Sequence, residues 1–245
     1  MNRNFASIAA ECDKLFNSGD SAGVEKVLLS SLAEAEKSGD KPLQLFVQSE
    51  LIGHYRMQNN AEKSLIAVKR TLYLLSILPG LDDISAGTIL INAATALSAA
   101  KKFDEALGIY LQAKQRYDGI LSKNDHLQAG LLNNMASVYL AKKDFSSAEN
   151  CYIQALEILK PLEKFADCAV SCLNLAQLYA ARDKNDPLIT IFLESAMDFL
   201  DLPALPRDGY YAHTCKKCAA GFAELGRNDL KDELDLRAKE IYERH

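Results

Sequence analysis

Residues 131–159, LLNNMASVYLAKKDFSSAENCYIQALEIL, align without gaps with residues 89–117, ILINAATALSAAKKFDEALGIYLQAKQRY, at an offset of 42 residues. A third copy, LNLAQLYAARDKNDPLITIFLESAMDFL, begins at Leu173 and repeats the pattern after 40 residues. Self-similarity at a fixed period is typical of repeat proteins, in which each repeat is one supersecondary unit. The sequence therefore predicts a repeat array.

Each copy has apolar residues at spacings of three and four on both sides of a short polar break. This pattern predicts two antiparallel amphipathic helices. In the fourth repeat the break Lys142-Lys143-Asp144 ends in an N-cap residue. In the fifth, Asp186 is predicted as the N-cap and Pro187 as the first helical residue. Each repeat is thus predicted to be a helical hairpin.

The register extends to both ends of the chain, where the pattern is weaker. The turns Ser18-Gly19-Asp20 and Gly226-Arg227-Asn228 mark a first and a last hairpin, and the charged final helix suits a solvent-facing cap. The predicted fold class is all-α, a right-handed α-solenoid of six antiparallel hairpins forming one domain over residues 1–245. The predicted repeats are 5–37, 41–78, 84–121, 126–160, 165–201 and 207–244.

The residue types inside the hairpins resemble the tetratricopeptide repeat family, whose pattern is W-x2-L-G-x2-Y, then A-x3-F, then P. In the fourth repeat the matching residues are Leu132, Met135, Ala136, Tyr139, Ala148, Tyr152, Ala155 and Pro161. The period of 40 to 42 residues, against about 34 in the common repeat, resembles the long repeats of kinesin light chains. The resemblance implies a superhelix that binds a protein or peptide in its concave groove, as a non-enzymatic adaptor or regulatory module.

The resemblance also implies that the residue five before the tyrosine position faces this groove. That series is Glu50, Asn92, Asn134, Asn174 and Lys217. An asparagine carboxamide both donates and accepts, which suits the unpaired backbone of an extended peptide. The alternative is that the asparagines brace neighbouring helices, because asparagine is disfavoured within helices. Both interpretations remain open at this point.

Further groove residues are predicted beside this series. Asn133 and Gln177 are neutral and polar, whereas charge enters at the two ends through Arg56 and through the group His213, Lys216 and Lys217. A carboxylate could dock near the two lysines. The family's two-carboxylate clamp for chaperone tails is not expected, because its basic positions hold Ile91, Asn133 and Leu173. The partner segment could be extended or helical.

Composition argues against several other functions. The net charge of −5 does not favour nucleic acid. The longest uncharged run, residues 168–181, is too short to span a membrane. No secretory signal is recognised near the N-terminus. The six cysteines are therefore expected to be reduced thiols rather than disulfides. A cytoplasmic protein is expected.

Catalytic and metal chemistry are not expected either. Cys168, Cys172, Cys215, Cys218 and His213 are close in register, but the cysteines lie within helices and three of them take core positions of the repeat. The histidines lie in different repeats without a triad, and phosphate-binding glycine motifs are missing. No cofactor, metal or enzymatic activity is therefore predicted. The alternative function is a self-associating structural scaffold, a homo-oligomer without a separate ligand.

Overall fold

The computed structural model describes residues 4–243, and within that range it contains twelve α-helices and no strand. They are α1 Phe5–Asn17, α2 Ser21–Ser38, α3 Lys41–Met57, α4 Ala61–Ile77, α5 Asp83–Ala99, α6 Phe103–Asp118, α7 His126–Ala141, α8 Phe145–Leu159, α9 Phe165–Arg182, α10 Leu188–Asp201, α11 Gly209–Glu224 and α12 Asn228–Tyr242. Each odd-numbered helix packs on the even-numbered helix that follows it. The predicted all-α fold of helical hairpins is confirmed.

The turn inside the hairpin has the same geometry in five of the six pairs described. The residue before the second helix's N-cap has a positive φ, between 56° and 77°, at Gly19, Asn59, Lys101, Lys143 and Gly226. The following N–H then donates to the carbonyl five residues earlier, as from Asp144 to Tyr139 at 2.9 Å. This left-handed cap satisfies a free carbonyl at the end of the first helix.

The fifth hairpin departs from this turn. Pro187 is the N-cap of α10 rather than its first residue, so the predicted helix start is wrong by one position. Pro187 already has helical backbone angles, φ −63° and ψ −21°, and Asp186 accepts a hydrogen bond from the Leu188 N–H at 2.9 Å, as a capping residue does. The α-helix begins at Leu188 because the Ile189 N–H bonds to the Asp186 carbonyl three residues earlier, at 3.1 Å, in a turn tighter than an α-helical one. Arg182 also donates to Asp186 at 2.9 Å.

The chain divides into two compact units, residues 1–120 (unit 1) and residues 121–245 (unit 2). In unit 1, α3 packs against α2, α4 and α5, and in unit 2, α9 packs against α8, α10 and α11. Within each unit, first helices of adjacent hairpins therefore lie side by side. Ala94, Ala136 and Ala176 are fully buried, which allows the close helix approach that the repeat pattern predicts.

A buried tyrosine joins the two helices of a hairpin in both units. Tyr110 is hydrogen-bonded to Thr95 at 3.0 Å in unit 1, and Tyr152 to Ser137 at 3.1 Å in unit 2. Both tyrosine rings are buried. The hydroxyl partners satisfy the phenol oxygens, so these aromatic rings fill the core without leaving an unpaired polar group.

A tyrosine and a glutamate also join adjacent hairpins, and we call this contact the tyrosine–glutamate brace. Tyr55 donates to Glu25 at 2.9 Å in unit 1, and Tyr179 donates to Glu149 at 2.5 Å in unit 2. The pKa of both phenols is raised to about 12, chiefly by burial and secondly by the hydrogen bond to glutamate. Lys63 lies 2.7 Å from Glu25. The phenols therefore remain neutral donors at physiological pH.

Candidate binding surface

Unit 1 contains a cleft of about 560 Å³ between α1, α3, α5 and the loop that joins α4 to α5. We call it the unit 1 cleft. Most of its lining is apolar, with walls that include Phe5, Phe46, Leu78 and Ile84. The rings of Phe5 and Phe46 are 5.1 Å apart and form one side. Phe5 and Ile84 are 47% and 38% exposed, so apolar surface is accessible at the opening.

The loop between α4 and α5 forms the opposite side of the cleft. Pro79 lacks a backbone N–H and so does not continue α4, and Gly80 takes a φ of +83° that other residues rarely adopt. Asp82 then caps α5 by accepting from the Ser85 N–H at 2.8 Å. The sequence Leu78-Pro79-Gly80-Leu81 thus holds two leucines against the cleft.

Two predicted groove residues, Glu50 and Asn92, line this cleft. Neighbouring protein atoms displace water from the Glu50 carboxyl and raise its pKa, and the charge of Asp13 raises it further. Among the described residues, Glu50 makes no ion pair or side-chain hydrogen bond. The Asn92 amide lies 3.5 Å from the Ser49 hydroxyl, at the outer limit of a hydrogen bond. Both side chains can therefore bond to an incoming group.

In unit 2, two predicted groove residues bond to a neighbouring first helix. Asn133 donates to the Ser171 hydroxyl at 2.9 Å, which joins α7 to α9. Gln177 donates to Glu224 at 2.7 Å, which joins α9 to α11. Asn133 and Gln177 therefore join neighbouring helices, although the bracing interpretation concerns the asparagine series and not these two flanking residues.

The remaining predicted residues have different surroundings. Asn134 and Asn174 are half-buried and make no side-chain hydrogen bond to any described residue. Lys216 is exposed, and its ammonium lies 5.1 Å from the centre of the Tyr242 ring within the same hairpin. The others are exposed side chains on α3 and α11, namely Arg56, His213 and Lys217.

The cysteines of unit 2 lie in an apolar environment. Cys168, Cys172, Cys215 and Cys218 are buried, and burial raises the pKa of all four thiols, to about 12 for Cys172 and Cys218. Such thiols stay protonated and are poor nucleophiles. Within residues 4–243, no group of three or more His, Cys, Asp or Glu side chains is arranged to hold a metal ion.

Across the described part of the chain, every helix is too short or too polar to cross a membrane.

The walls of the unit 1 cleft were missed by sequence reasoning. Phe5, Phe46 and Ile84 belong to amphipathic helices, where an apolar residue at a surface edge has the same periodicity as a core residue. The one local signal was Pro79-Gly80, which breaks the helical pattern next to the cleft. The polar residues were recognised because they recur at equivalent positions of the repeat.

One part of the chain matches a known family in sequence. Residues 129–160 match the Tetratricopeptide repeat family. No curated protein matches the chain significantly. The family resemblance seen in the sequence is confirmed for this repeat.

Solved structures share the fold over nearly the whole chain. BtubC (BKLC) from P. vanneervenii is 18% identical with a TM-score of 0.56, covering 97% of this chain and 89% of that one. The apo form of RapI is 14% identical with a TM-score of 0.67, covering 98% and 99%. The TPR-like repeats of a candidate kinesin light chain from Podosopora anserina are 16% identical with a TM-score of 0.56, covering 81% and 94%. The chain therefore has the helical-repeat fold of TPR-like proteins.

Proposed function

We propose that this protein is a non-enzymatic binding module that holds a segment of another protein in the unit 1 cleft. The observation that carries the proposal is an accessible apolar cleft that contains two polar side chains. Glu50 has no partner among the described residues, and Asn92 has only a 3.5 Å contact to Ser49. Helical-repeat proteins present extended surfaces of this kind to their partners. An adaptor or regulatory role in the cytoplasm is part of this proposal.

The size and lining of the cleft support a peptide ligand. Its volume of about 560 Å³ falls within the range of ligand-binding clefts and would accommodate a few side chains. Burial of apolar ligand side chains against Phe46, Leu78 and Ile84 would supply most of the binding free energy. Asn92 would fix the position of the segment, because its carboxamide can donate to and accept from a peptide backbone.

Unit 2 offers a second contact surface in the same proposal. Asn134 and Asn174 are half-buried on α7 and α9, and their carboxamides are free of other described residues. A polar group that is half removed from water gains from a partner that can hydrogen-bond to it. We propose these two asparagines as additional ligand contacts.

A displayed library of random peptides, selected on the purified protein, tests the proposal. The affinities of the enriched peptides are measured by fluorescence anisotropy against the parent and three variants. Ile84→Gln removes an exposed apolar wall, and Asn92→Ala removes the amide. Ile191→Gln is the control, since Ile191 is 52% exposed on α10 of unit 2.

We expect Ile84→Gln to weaken binding about tenfold, which corresponds to the roughly 1.4 kcal/mol of a lost apolar contact. Asn92→Ala is expected to weaken it about fivefold, through one lost hydrogen bond. Ile191→Gln should leave the affinity unchanged. Failure to enrich any peptide, or equal affinity for all four proteins, would contradict binding in the unit 1 cleft.

A further inference from the structure

We infer that the segment held in the unit 1 cleft presents a basic side chain, lysine or arginine, between apolar residues, and that Glu50 pairs with it. This inference rests on the proposed function, which it extends from the site to the chemistry of the partner.

Glu50 gives the cleft a single sign of charge. It is the one ionisable side chain among the described residues that line the cleft. Asp13 on α1 acts on it as a second negative charge, and no described lysine or arginine lies within ion-pair distance of its carboxylate. By contrast, Asp83 at the start of α5, which does not line the cleft, already has a partner in Arg116 at 2.5 Å. As far as residues 4–243 are concerned, Glu50 therefore remains available for an external cation.

The surroundings of Glu50 make such a cation favourable. Removal of water and the charge of Asp13 both disfavour the ionised carboxylate and raise its pKa. A basic group within a few ångströms would offset both effects. Because Glu50 is exposed at the opening of the cleft, such a pair is worth up to about 1 kcal/mol, or about fivefold in affinity, as for a surface ion pair. An acidic partner group would instead add a third negative charge, which the cleft would reject.

The apolar walls define the rest of the partner segment. One side of the cleft is formed by Phe5 and Phe46, and the other by Leu78 and Leu81. Apart from Glu50, no described residue that lines the cleft is charged. A lysine or arginine can lay its aliphatic stem along such walls while its charged end reaches Glu50 at the opening. Neighbouring apolar residues of the segment would then fill the interior.

Three synthetic peptide libraries provide the test. All are acetylated at the N-terminus and amidated at the C-terminus, so that they carry no terminal charge. Their flanking positions are randomised among Leu, Ile, Phe, Ala and Ser, and the central position is fixed as Lys, Gln or Glu. Each library carries a neutral fluorophore on a C-terminal cysteine, and its binding to the full chain is measured by anisotropy, with circular dichroism to verify folding.

The proteins compared are the parent, Glu50→Gln, Glu50→Lys and the control Glu36→Lys. Glu36 is an exposed glutamate on α2 of the same unit, outside the cleft, so its replacement makes the same change in net charge. We expect the parent to bind the lysine library about fivefold tighter than the glutamine library, as for a partly exposed ion pair. The preference over the glutamate library should be about 20-fold, because like charges repel.

Glu50→Gln should abolish the lysine preference, Glu50→Lys should reverse it, and Glu36→Lys should retain it. Equal binding of the lysine and glutamine libraries to the parent would overturn the inference and leave the proposed function intact. An equal effect of Glu36→Lys and Glu50→Lys would also overturn it, as a response to net charge alone. Absence of binding by all three libraries would overturn both proposals.

Sedimentation velocity of the parent and of Ile84→Gln adds one further outcome. A monomer at all concentrations is expected for both. A parent dimer that Ile84→Gln dissociates would show that a second copy of this chain occupies the cleft, and would overturn the inference.

Discussion

The two units are built from hairpins of the same kind but differ in the contacts between the first helices of neighbouring hairpins. In unit 1, the region between α3 and α5 opens into a cleft, where Glu50 has no partner within residues 4–243 and Asn92 has a long contact of 3.5 Å to Ser49. In unit 2, α9 is joined to its neighbours by short hydrogen bonds of Asn133 and Gln177. The two units thus differ in what joins their first helices: side chains bond across them in unit 2, whereas an apolar cleft separates them in unit 1. Asn134 and Asn174, which occupy the positions equivalent to Asn92, bond to no described residue in unit 2 either.

The difference shows which parts of the repeat determine the fold and which are free to vary. The left-handed turn, the buried tyrosine and the tyrosine–glutamate brace occur in both units. The contacts between first helices do not recur, because they depend on side chains such as Ser171 and Glu224 that the repeat pattern does not specify. Binding surfaces can therefore vary on a constant scaffold.

The largest expected effect concerns the close helix packing of unit 2. A Cβ atom added at Gly221 would lie 2.5 Å from the Leu173 side chain, whereas one added at Gly53 of α3 would meet no atom within 4 Å. We expect Gly221→Ala to lower the free energy of unfolding by about 1–3 kcal/mol. Gly53→Ala should raise it by about 0.5–1 kcal/mol. Urea denaturation measures both, and destabilisation by both variants to the same extent would contradict the difference in packing.

The second prediction concerns pH and unit 1. His54 lies immediately before Tyr55, the position that Gly221 takes before Phe222 in unit 2. The His54 side chain is 5% exposed, and its Nε2 atom has no hydrogen-bond partner among the described residues. Burial lowers the pKa of His54 from its usual value of 6.5. The negative charge of Glu25 partly offsets this decrease, and the positive charge of Lys63 adds to it. The unfolded chain therefore binds the proton more tightly, and folding stability falls as the pH drops below 6.5.

One such group changes stability by at most about 1.4 kcal/mol per pH unit. The measurement is the free energy of unfolding at pH 7.5 and pH 5.5 for the parent, for His54→Gln and for His213→Gln, which replaces an exposed histidine. His54→Gln should reduce the loss at low pH, and His213→Gln should not. An unchanged loss in His54→Gln would show that protonation of His54 is not responsible.

The third prediction compares two asparagines directly. Asn133→Ala removes the bond to Ser171 and should cost about 1 kcal/mol, a limited amount because Ser171 keeps its bond to the Asp167 carbonyl. Asn92→Ala removes a contact of 3.5 Å and should lower the free energy of unfolding by well under half of the amount lost in Asn133→Ala. Thermal melting of the two variants distinguishes them. Equal shifts in melting temperature would remove the distinction between an open and a bonded face.

The smallest effect is expected where the units agree. Tyr55→Phe and Tyr179→Phe each remove one hydrogen bond of the tyrosine–glutamate brace while retaining the ring. Because both contacts are partly exposed, each variant should lose about 0.5 kcal/mol by urea denaturation. A large loss in one unit only would show that the brace does not have the same role in both.

The sequence predicted the helices and hairpins because their signals are local. Apolar spacing places a residue on a helix face, and Asp144 or Gly226 marks a helix end without reference to distant residues. The position of Asn134 on the first helix could be predicted for the same reason. The contacts of Asn133 and Gln177 could not, because they depend on side chains 38 and 47 residues away. The unit 1 cleft likewise arises from the spacing of α3, α5 and the loop that joins α4 to α5, which periodicity does not determine.

Hydrogen exchange with a bound peptide tests the central claim most directly. A lysine peptide taken from the library that binds the parent is added to the full chain, and amide exchange is compared with and without it. Binding in the unit 1 cleft predicts slower exchange in α3 and in residues 78–92, with α11 unchanged. Slower exchange confined to α9 and α11, with α3 and α5 unaffected, would contradict the assignment of the open, binding face to unit 1.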